Sequence, residues 1–212
     1  MKQTADLSEL KFVSHGFYNA LDSKTLTRPI TMNQVHSADV LFLTEEPAER
    51  PSVDALITKT PNLCLTVRTA DCAPVLLADS GSQMVAAVHA GWRGAFQGIL
   101  EITVLKMLQH GANLQTIRAA IGPHIQVQSF EAGSDMQALF PSSEHHFFTE
   151  KNGRLMFDFD AYVVHRLRRA GISRIESVGD DTYTDFSYFS YRREPDNPGR
   201  QYSSIMIRGS YE

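Results

Sequence analysis

The chain has 212 residues, of which 42% are hydrophobic and 21% are charged, and its formal net charge is −4. This composition is typical of a soluble globular protein, and the acidic balance argues against general binding to nucleic acid or to an acidic membrane. The N-terminal sequence lacks the apolar core of a signal peptide, and no run approaches the roughly 20 apolar residues of a membrane helix. Two cysteines, Cys64 and Cys72, are too few for a disulfide scaffold, so we expect a reduced, cytoplasmic setting.

Short strands dominate the elements predicted for the first half of the chain. Residues 1–30 are expected to be irregular and polar, apart from one short strand in KFVSHGF. The segment SADVLFLTEE predicts a strand that is entered from a loop carrying His36. Residues 53–91 predict several strands, separated by turns at residues 61–62, 70–71 and 80–81.

Three helices and three strands are predicted for the second half. Apolar residues recur at helical spacing from Trp92 to His110, and Gly111 follows at the position of a left-handed cap. FEAGSDMQALF predicts a helix, and FDFDAYVVHRLRRAGI predicts another that begins at Asp158 or Asp160. Strands are expected in TIRAAIGP, RIESVGDDTYT and YSSIMIR. Because many strands run consecutively, the predicted class is α+β, a single layered domain with mixed β-sheets flanked by helices.

Three residues suited to metal binding lie at predicted strand edges or turns. They are His36 in NQVHSADV, Cys72 in RTADCAPVLL and His89 in AAVHAGWRG. Two imidazoles and a thiolate suit zinc, and three protein ligands leave a fourth position open, as in catalytic sites whose bound water has a pKa of about 7. Each residue alone also fits a structural role, as a hydrogen-bonded histidine or a small buried hydrophobe, and we assign Cys64 to the core.

Two further residues have both a functional and a structural interpretation. Asp71, in the turn before Cys72, could orient a metal ligand or could be an ordinary turn aspartate. Arg93 follows Gly91 and Trp92 at a predicted helix start, where amides and an arginine would bind phosphate or carboxylate. The alternative is a solvated Arg93 beside a tryptophan that packs in the core.

The segments QVHSADV, DALIT, TADCAPVLL, AVHAGWRG, AAIGPHI and FSYRRE…GRQYSSIMI occur in this order. Together they resemble the YfiH-type laccase-domain family, whose members are also described as polyphenol oxidases and as purine nucleoside phosphorylases. The resemblance covers roughly residues 31–208. It implies one such domain over residues 1–212, with a shortened N-terminal region at about residues 1–30. It also implies a zinc ion held by His36, Cys72 and His89, with copper the less suitable metal.

The resemblance further implies phosphorolysis of adenosine, inosine and methylthioadenosine to the free base and (methylthio)ribose 1-phosphate, with adenosine deamination as a side activity. The partners would be a purine nucleoside and phosphate, with no nucleic acid and no membrane. The catalytic residues would be Cys72, Asp71 and Arg93. The residues that bind substrate or phosphate would be Gln34, Gly91, Trp92 and Arg93.

The sequence departs from the family pattern in three places. The arginine-and-glycine loop that usually follows HGF, and the helix after it, are missing between His15 and His36. Thr182 stands where a cysteine is common, and His124 stands where a cysteine or arginine is common. For His124 the alternatives are a fourth metal contact, a proton donor and a plain loop histidine. These departures bear on the substrate and on catalytic competence more than on the fold.

Three other functions compete with the nucleoside enzyme. Cys72 with a histidine base would make a cysteine hydrolase acting on cell-wall peptide precursors, although the same residues cannot also bind zinc. Copper-dependent phenol oxidation is disfavoured because only His145 and His146 are adjacent histidines and no methionine is placed as an axial ligand. The last alternative is a zinc-binding protein that has lost catalysis with its shortened N-terminal region.

Overall fold

The computed structural model describes residues 1–22, 26, 28–196 and 199–209. Parts of the predicted N-terminal region, residues 23–25 and 27, and the last three residues of the predicted domain therefore lie outside the described residues. The helices are α1 (Ala5–Ser8), α2 (Trp92–Gln97), α3 (Ile99–Gln109), α4 (Ser134–Leu139) and α5 (Phe159–Arg169), with a 3-10 helix at Ser142–Phe147. The strands are β1 (Val13–Phe17), β2 (Pro29–Ile30), β3 (Val40–Leu43), β4 (Ala55–Thr58), β5 (Cys64–Thr69), β6 (Ala73–Asp79), β7 (Met84–Ala90), β8 (Ile117–Ile121), β9 (Phe148–Lys151), β10 (Arg154–Phe157), β11 (Arg174–Ser177) and β12 (Gln201–Ile207).

Two mixed sheets and a layer of helices make up the fold. The six-stranded sheet has the order β11-β8-β6-β7-β4-β3, and the four-stranded sheet has the order β1-β12-β5-β2. Each sheet contains parallel as well as antiparallel pairs. The predicted α+β class with mixed sheets is thereby confirmed. No helix within the described ranges is long and apolar enough to cross a membrane.

The six-stranded sheet lies between the helices and the four-stranded sheet, so both of its faces are covered. On β6, Val75 and Leu77 pack in the core on the helical side, whereas Leu76 and Ala78 pack in the core shared with the other sheet. Strands β6 and β7 are buried along their whole length. This two-sided burial explains why their sequences are continuous apolar runs rather than alternating patterns.

The predicted helix from Trp92 to His110 is wrong in one respect, because the chain breaks at Gly98 into α2 and α3. Gly98 has a φ of 98°, a left-handed conformation that glycine adopts without a steric penalty. The guanidinium of Arg166, on α5, donates a hydrogen bond of 3.0 Å to the carbonyl of Phe96 and so satisfies the end of α2. Gly111 adopts the predicted left-handed cap, with a φ of 92°.

One predicted helix cap is confirmed, one predicted helix is shorter than expected, and one hairpin was not predicted. Asp158 caps α5 by accepting a hydrogen bond of 3.0 Å from the amide of Ala161, as predicted. The helix predicted in FEAGSDMQALF is limited to α4, because Glu131 pairs with Met156 as an isolated β-bridge. The hairpin β9–β10 was missed, although its Asn152 and Gly153 turn, with φ values of 53° and 72°, carries a strong hairpin signal.

The N-terminal region is less irregular than its sequence indicates. Leu7, on α1, is fully buried and belongs to the core between the two sheets. The short helix therefore contributes to packing despite its polar neighbours.

Candidate metal centre

Three neighbouring strands of the six-stranded sheet bring polar residues to one edge. Asp54 directly precedes β4, Cys72 directly precedes β6, and His89 lies near the end of β7. The register pairs Ala55 with Val88 and Ala73 with Ala90. Because β7 lies between its two antiparallel partners, the start of each partner meets the end of β7. Sheet register alone therefore gathers residues that are distant in sequence.

The three predicted metal ligands converge at this edge. The ligand atoms of His36, Cys72 and His89 all lie within 4.8 Å of one another, and the two imidazole rings are 4.9 Å apart between centroids. His89 is 3% exposed, Cys72 is half-buried and His36 is exposed. We call these three residues the metal cluster. A nitrogen, sulfur and nitrogen donor set that is open on one side matches the chemistry of a zinc or copper ion.

Asp54, a residue that the sequence pattern does not single out, organises the metal cluster. Its fully buried carboxylate lies 2.8 Å from Nδ1 of His89. An Nδ1–H that donates to this carboxylate leaves Nε2 of His89 to bind a metal. The same carboxylate accepts hydrogen bonds of 3.2, 3.1 and 2.7 Å from the backbone amides of Val35, His36 and Ser37. These bonds hold His36 in a left-handed conformation, with a φ of 59°.

The charges around the metal cluster favour a cation within it. Burial acts to raise the pKa of the Asp54 carboxyl, but its hydrogen bonds from His89 and Ser37 outweigh burial and hold that pKa below its ordinary value. Burial acts to lower the pKa of His89, but its interactions with Cys72 and with the Asp54 carboxylate raise that pKa to about 9. The pKa of His36 is lowered by burial first and then by the positive charge of His89. A proton on His89 thus occupies a position where a metal would be stabilised by the same two residues, Cys72 and Asp54.

Glycines allow the close approach of the segments that carry the metal cluster. A Cβ atom on Gly91 would lie 2.5 Å from Nδ1 of His36 and 3.3 Å from Sγ of Cys72. A Cβ atom on Gly94 would lie 2.9 Å from the carbonyl oxygen of Ser37. The two glycines of HAGWRG are therefore required because α2 packs directly against the His36 loop.

The metal cluster opens into a cavity of about 780 Å³. One group of lining residues is apolar or aromatic and comprises Trp92, Ile125, Phe130, Phe159 and Tyr191. A second group is basic and comprises Arg68, Arg93, Arg192 and Arg200. The cavity therefore combines three candidate metal ligands, an aromatic surface and four positively charged side chains.

Gln34 and Asp71 line the cavity, but their polar groups bind the protein. The side-chain amide of Gln34 donates a hydrogen bond of 2.7 Å to the backbone carbonyl of Arg68 and accepts one of 2.8 Å from the backbone N–H of Arg68. Asp71 has a φ of 82°, and its carboxylate accepts hydrogen bonds from the hydroxyls of Thr182 and Ser190 and from the amide of Arg192. Both residues therefore position neighbouring segments of the cavity wall.

Trp92 and Arg93 combine the two interpretations made from sequence. Trp92 packs against the core on the helical side, and the exposed Arg93 lies over its ring, with Cζ 4.4 Å from the ring centroid. Both side chains also line the cavity. Helix α2 has only six residues, so the positive end of its dipole is a minor contribution beside the arginine itself.

His124 is a buried structural histidine and is not part of the metal cluster. Its Nδ1 lies 2.8 Å from the carbonyl oxygen of Gly122, and its Nε2 lies 3.2 Å from the side-chain amide of Gln126. Complete burial lowers its pKa. The hydroxyl of Thr182, which replaces the family's common cysteine, binds Asp71 at 2.7 Å.

Comparison with known proteins assigns the family. The sequence profile of the family described as multi-copper polyphenol oxidoreductase laccase matches residues 15–208. A purine nucleoside phosphorylase of Rickettsia prowazekii (strain Madrid E) is 36% identical over 169 residues, which are 77% of this chain and 70% of the relative. The purine nucleoside phosphorylase YfiH of Escherichia coli (strain K12) is 35% identical over 185 residues, or 85% of this chain and 74% of the relative.

A solved structure supports the same assignment. The crystal structure of a Neisseria meningitidis protein superposes with a TM-score of 0.79 at 30% identity, covering 89% of this chain and 78% of that one. The sequence match covers most of the chain, and the fold agrees over the same extent. The protein therefore belongs to the YfiH-type laccase-domain family, whose curated relatives include purine nucleoside phosphorylases.

Proposed function

We propose that the protein is a zinc-dependent purine nucleoside phosphorylase. It would convert adenosine, inosine and methylthioadenosine to the free base and (methylthio)ribose 1-phosphate, with adenosine deamination as a side activity. The observation that carries this proposal is that the metal cluster opens into a cavity with both an aromatic surface and four arginines. The whole chain, residues 1–212, would form one such domain with a shortened N-terminal region.

The donor set supports zinc as the metal. His36, Cys72 and His89 would hold it, and the hydrogen bond to Asp54 would keep His89 in the ligating tautomer. A blue-copper site would also use two histidines and a cysteine, but it usually adds an axial methionine, and none lines the described part of the cavity. A zinc ion bound there would supply Lewis-acid polarisation of a substrate atom.

The cavity walls fit the two substrates of phosphorolysis. The rings of Phe130 and Phe159, which pack edge to face at 5.6 Å, offer an apolar surface to a purine. Arg93 and Arg200 line the same cavity as His36, and their positive charges both act to lower the pKa of His36. In the reaction a phosphate oxygen would bond to C1′ of the ribose while the C1′–N9 bond breaks. The purine would leave with the bonding electrons and take up a proton that phosphate gives up.

The residues predicted from sequence take distinct parts in this proposal. Cys72 acts as a metal ligand, and Arg93 attracts phosphate to the cavity beside Gly91 and Trp92. Asp71 and Gln34 act through the segments that they hold, namely the loop of Arg192 and the end of β5.

The direct test is incubation of the zinc-loaded protein with each nucleoside, with and without phosphate, followed by chromatography. We expect free base to form only with phosphate, and inosine to form slowly from adenosine without it. If no nucleoside is converted under either condition, the enzyme proposal is wrong.

One observation favours a second function, a cysteine hydrolase. The thiol of Cys72 interacts with His89, whose other ring nitrogen lies against Asp54, as in a nucleophile, base and orienting-acid arrangement. Alkylation with iodoacetamide separates the two functions, since a metal-bound Cys72 reacts slowly. We expect protection of Cys72 until a chelator is added, with Cys64 as the internal reference. Rapid alkylation in protein as purified, with no stoichiometric metal, would favour the hydrolase.

A further inference from the structure

Three buried hydrogen-bond donors on adjacent strands have no partner among the described residues. They are Nε of Arg68, Oγ1 of Thr69 and Nε2 of Gln201, and we call them the donor trio. Thr69 ends β5, Gln201 begins β12, and the two residues face each other in the antiparallel register. Side chains at such paired positions project from the same face of a sheet. Thr69 and Gln201 are only 1% and 2% exposed, so surrounding solvent does not satisfy them.

The orientation of Gln201 confirms that its free atom is a donor. Its Oε1 accepts a hydrogen bond of 2.9 Å from the amide of Phe189, which leaves the Nε2 amine towards the unpartnered side. Nε of Arg68 is an N–H donor with no acceptor role, and the hydroxyl of Thr69 can donate. Three donors without an acceptor are the complement of a group that only accepts hydrogen bonds.

Two members of the donor trio lie in the wall of the cavity that holds the metal cluster, and the third, Gln201, pairs with one of them. Arg68 and Thr69 both line this cavity, as does Arg200, which directly precedes Gln201. The two hydrogen bonds from Gln34 fix the backbone of Arg68 at the end of β5. The end of β5 thus presents two unpartnered donors and the charge of Arg68 to the cavity, with Gln201 beside Thr69 on the paired strand, as oxyanion sites require.

We propose that the donor trio is the binding site for the inorganic phosphate of the reaction. Its identity as phosphate rests on the proposed phosphorylase function, because phosphate is the oxyanion which that reaction consumes. This location is on the four-stranded sheet and differs from the start of α2, which the sequence indicated. Arg93 then attracts the anion, and the donor trio binds it.

Calorimetric titration of inorganic phosphate into the zinc-loaded protein, at constant ionic strength and without nucleoside, tests this site. We expect Thr69→Val, which removes only the hydroxyl, to weaken phosphate binding about tenfold or more, because a hydrogen bond to a charged group is lost. Thr69→Ser should restore binding. Gln201→Glu keeps the acceptor for Phe189 but adds a negative charge, and it should weaken binding further.

The matched control is Thr66→Val. Thr66 is a buried threonine on the same strand, and its hydroxyl binds the carbonyl of Cys64 instead of facing the cavity. We expect its phosphate binding to equal that of the unmodified protein, with the zinc content of all variants unchanged. Steady-state kinetics should then show a raised KM for phosphate and an unchanged KM for inosine in Thr69→Val.

The following results would overturn the proposal. They are absence of phosphate binding in the unmodified protein, equal binding in Thr69→Val and Thr66→Val, and a raised KM for inosine alone, which would assign the donors to the ribose. Binding of inosine 5′-monophosphate but not inorganic phosphate would also contradict it. Phosphate binding that depends on Thr69 without any nucleoside turnover would instead disprove the phosphorylase function and leave the anion site intact.

Discussion

The metal cluster and the donor trio line the same cavity but are built in opposite ways. Beside the metal cluster, each oxygen of the Asp54 carboxylate has a hydrogen-bond partner, and the three ligand atoms of the cluster lie within 4.8 Å of one another. The donor trio has buried donors that no described residue satisfies. Protein hydrogen bonds satisfy the carboxylate of the first site, for which we propose a cation, whereas the second site leaves donors unsatisfied, for which we propose an anion. Substitutions in the first site should change the stability of the protein and its metal affinity. Substitutions around the second site should change substrate binding alone.

The largest effect is expected for Asp54→Ala. This change leaves three backbone amides and His89 without their shared acceptor, so we expect the free energy of unfolding of the metal-free protein to fall by about 3–5 kcal/mol. Zinc affinity should fall by about 10- to 100-fold or more. Denaturant unfolding and competition with a chromogenic chelator measure the two quantities.

Asp79→Ala is the matched control for this change. Asp79 is as fully buried as Asp54 and accepts hydrogen bonds from Ser82. It lies at the end of β6 that is remote from Cys72. We expect it to lose stability but to keep its zinc affinity. Equal loss of zinc affinity in both variants would mean that Asp54 acts only through general stability.

The pH dependence of the metal-free protein should reveal the proton on His89. The folded-state pKa of about 9 lies above the ordinary 6.5, so the stabilisation is fully present below pH 6.5 and is lost as pH rises towards 9. Because each pKa unit corresponds to about 1.4 kcal/mol, we expect a loss of about 3 kcal/mol across this range. Urea unfolding at several pH values measures it.

The zinc-loaded protein should not show this loss, since the metal replaces the proton and its binding releases protons below pH 9. Identical pH profiles with and without zinc would place the metal elsewhere.

Gly91→Ala should weaken metal binding with little effect on the metal-free fold. Its φ of −72° suits alanine, but the added Cβ atom would meet His36 at 2.5 Å. Because one ligand must move, we expect zinc affinity to fall by about tenfold or more, by analogy with other changes that misorient a ligand. Unchanged affinity in a chelator competition would show that His36 does not bind the metal.

Thr182→Val should affect substrate binding and leave the metal in place. Its hydroxyl is one of three groups that tie Asp71 to the segment carrying Tyr191 and Arg192. Loss of one such hydrogen bond, worth about 1 kcal/mol, should raise the KM for inosine about three- to tenfold with kcat nearly constant. Thr182→Ser should behave as the unmodified protein, whereas a matching loss of zinc would assign Thr182 to the metal cluster.

The smallest effect is expected for Arg93→Ala. Arg93 is exposed and stacks on Trp92, so its attraction of phosphate is partly screened by salt. We expect the KM for phosphate to rise roughly twofold to fivefold at low ionic strength, less at high ionic strength, with zinc content unchanged. An equal loss of zinc and activity would show a structural role instead.

The sequence singled out the three residues that converge in the metal cluster, but it did not reveal the residues around them. His36, Cys72 and His89 stood out because their residue types suit metal binding at strand edges. Asp54 did not, because an aspartate before a strand is also a common turn residue. The signal that could have found it is its place directly before the apolar strand β4, where burial demands a partner for a carboxylate.

Features that depend on distant contacts were beyond prediction. The break at Gly98 is stabilised by Arg166 from another helix, and the helical periodicity continues through it. The pairing of Thr69 with Gln201 exists only in the register of β5 and β12. In contrast, the dipeptide Asn152 and Gly153 is a local sequence signal for a hairpin turn, so the hairpin β9–β10 could have been predicted from the sequence.

X-ray absorption at the zinc and copper edges of the purified protein tests the proposed metal site most directly. We expect about one zinc per chain, with one sulfur scatterer at about 2.3 Å and nitrogen scatterers at about 2.0–2.1 Å. The sulfur signal should disappear in Cys72→Ser and persist in Cys64→Ser. Stoichiometric copper, or zinc without a sulfur ligand, would contradict a zinc site formed by His36, Cys72 and His89.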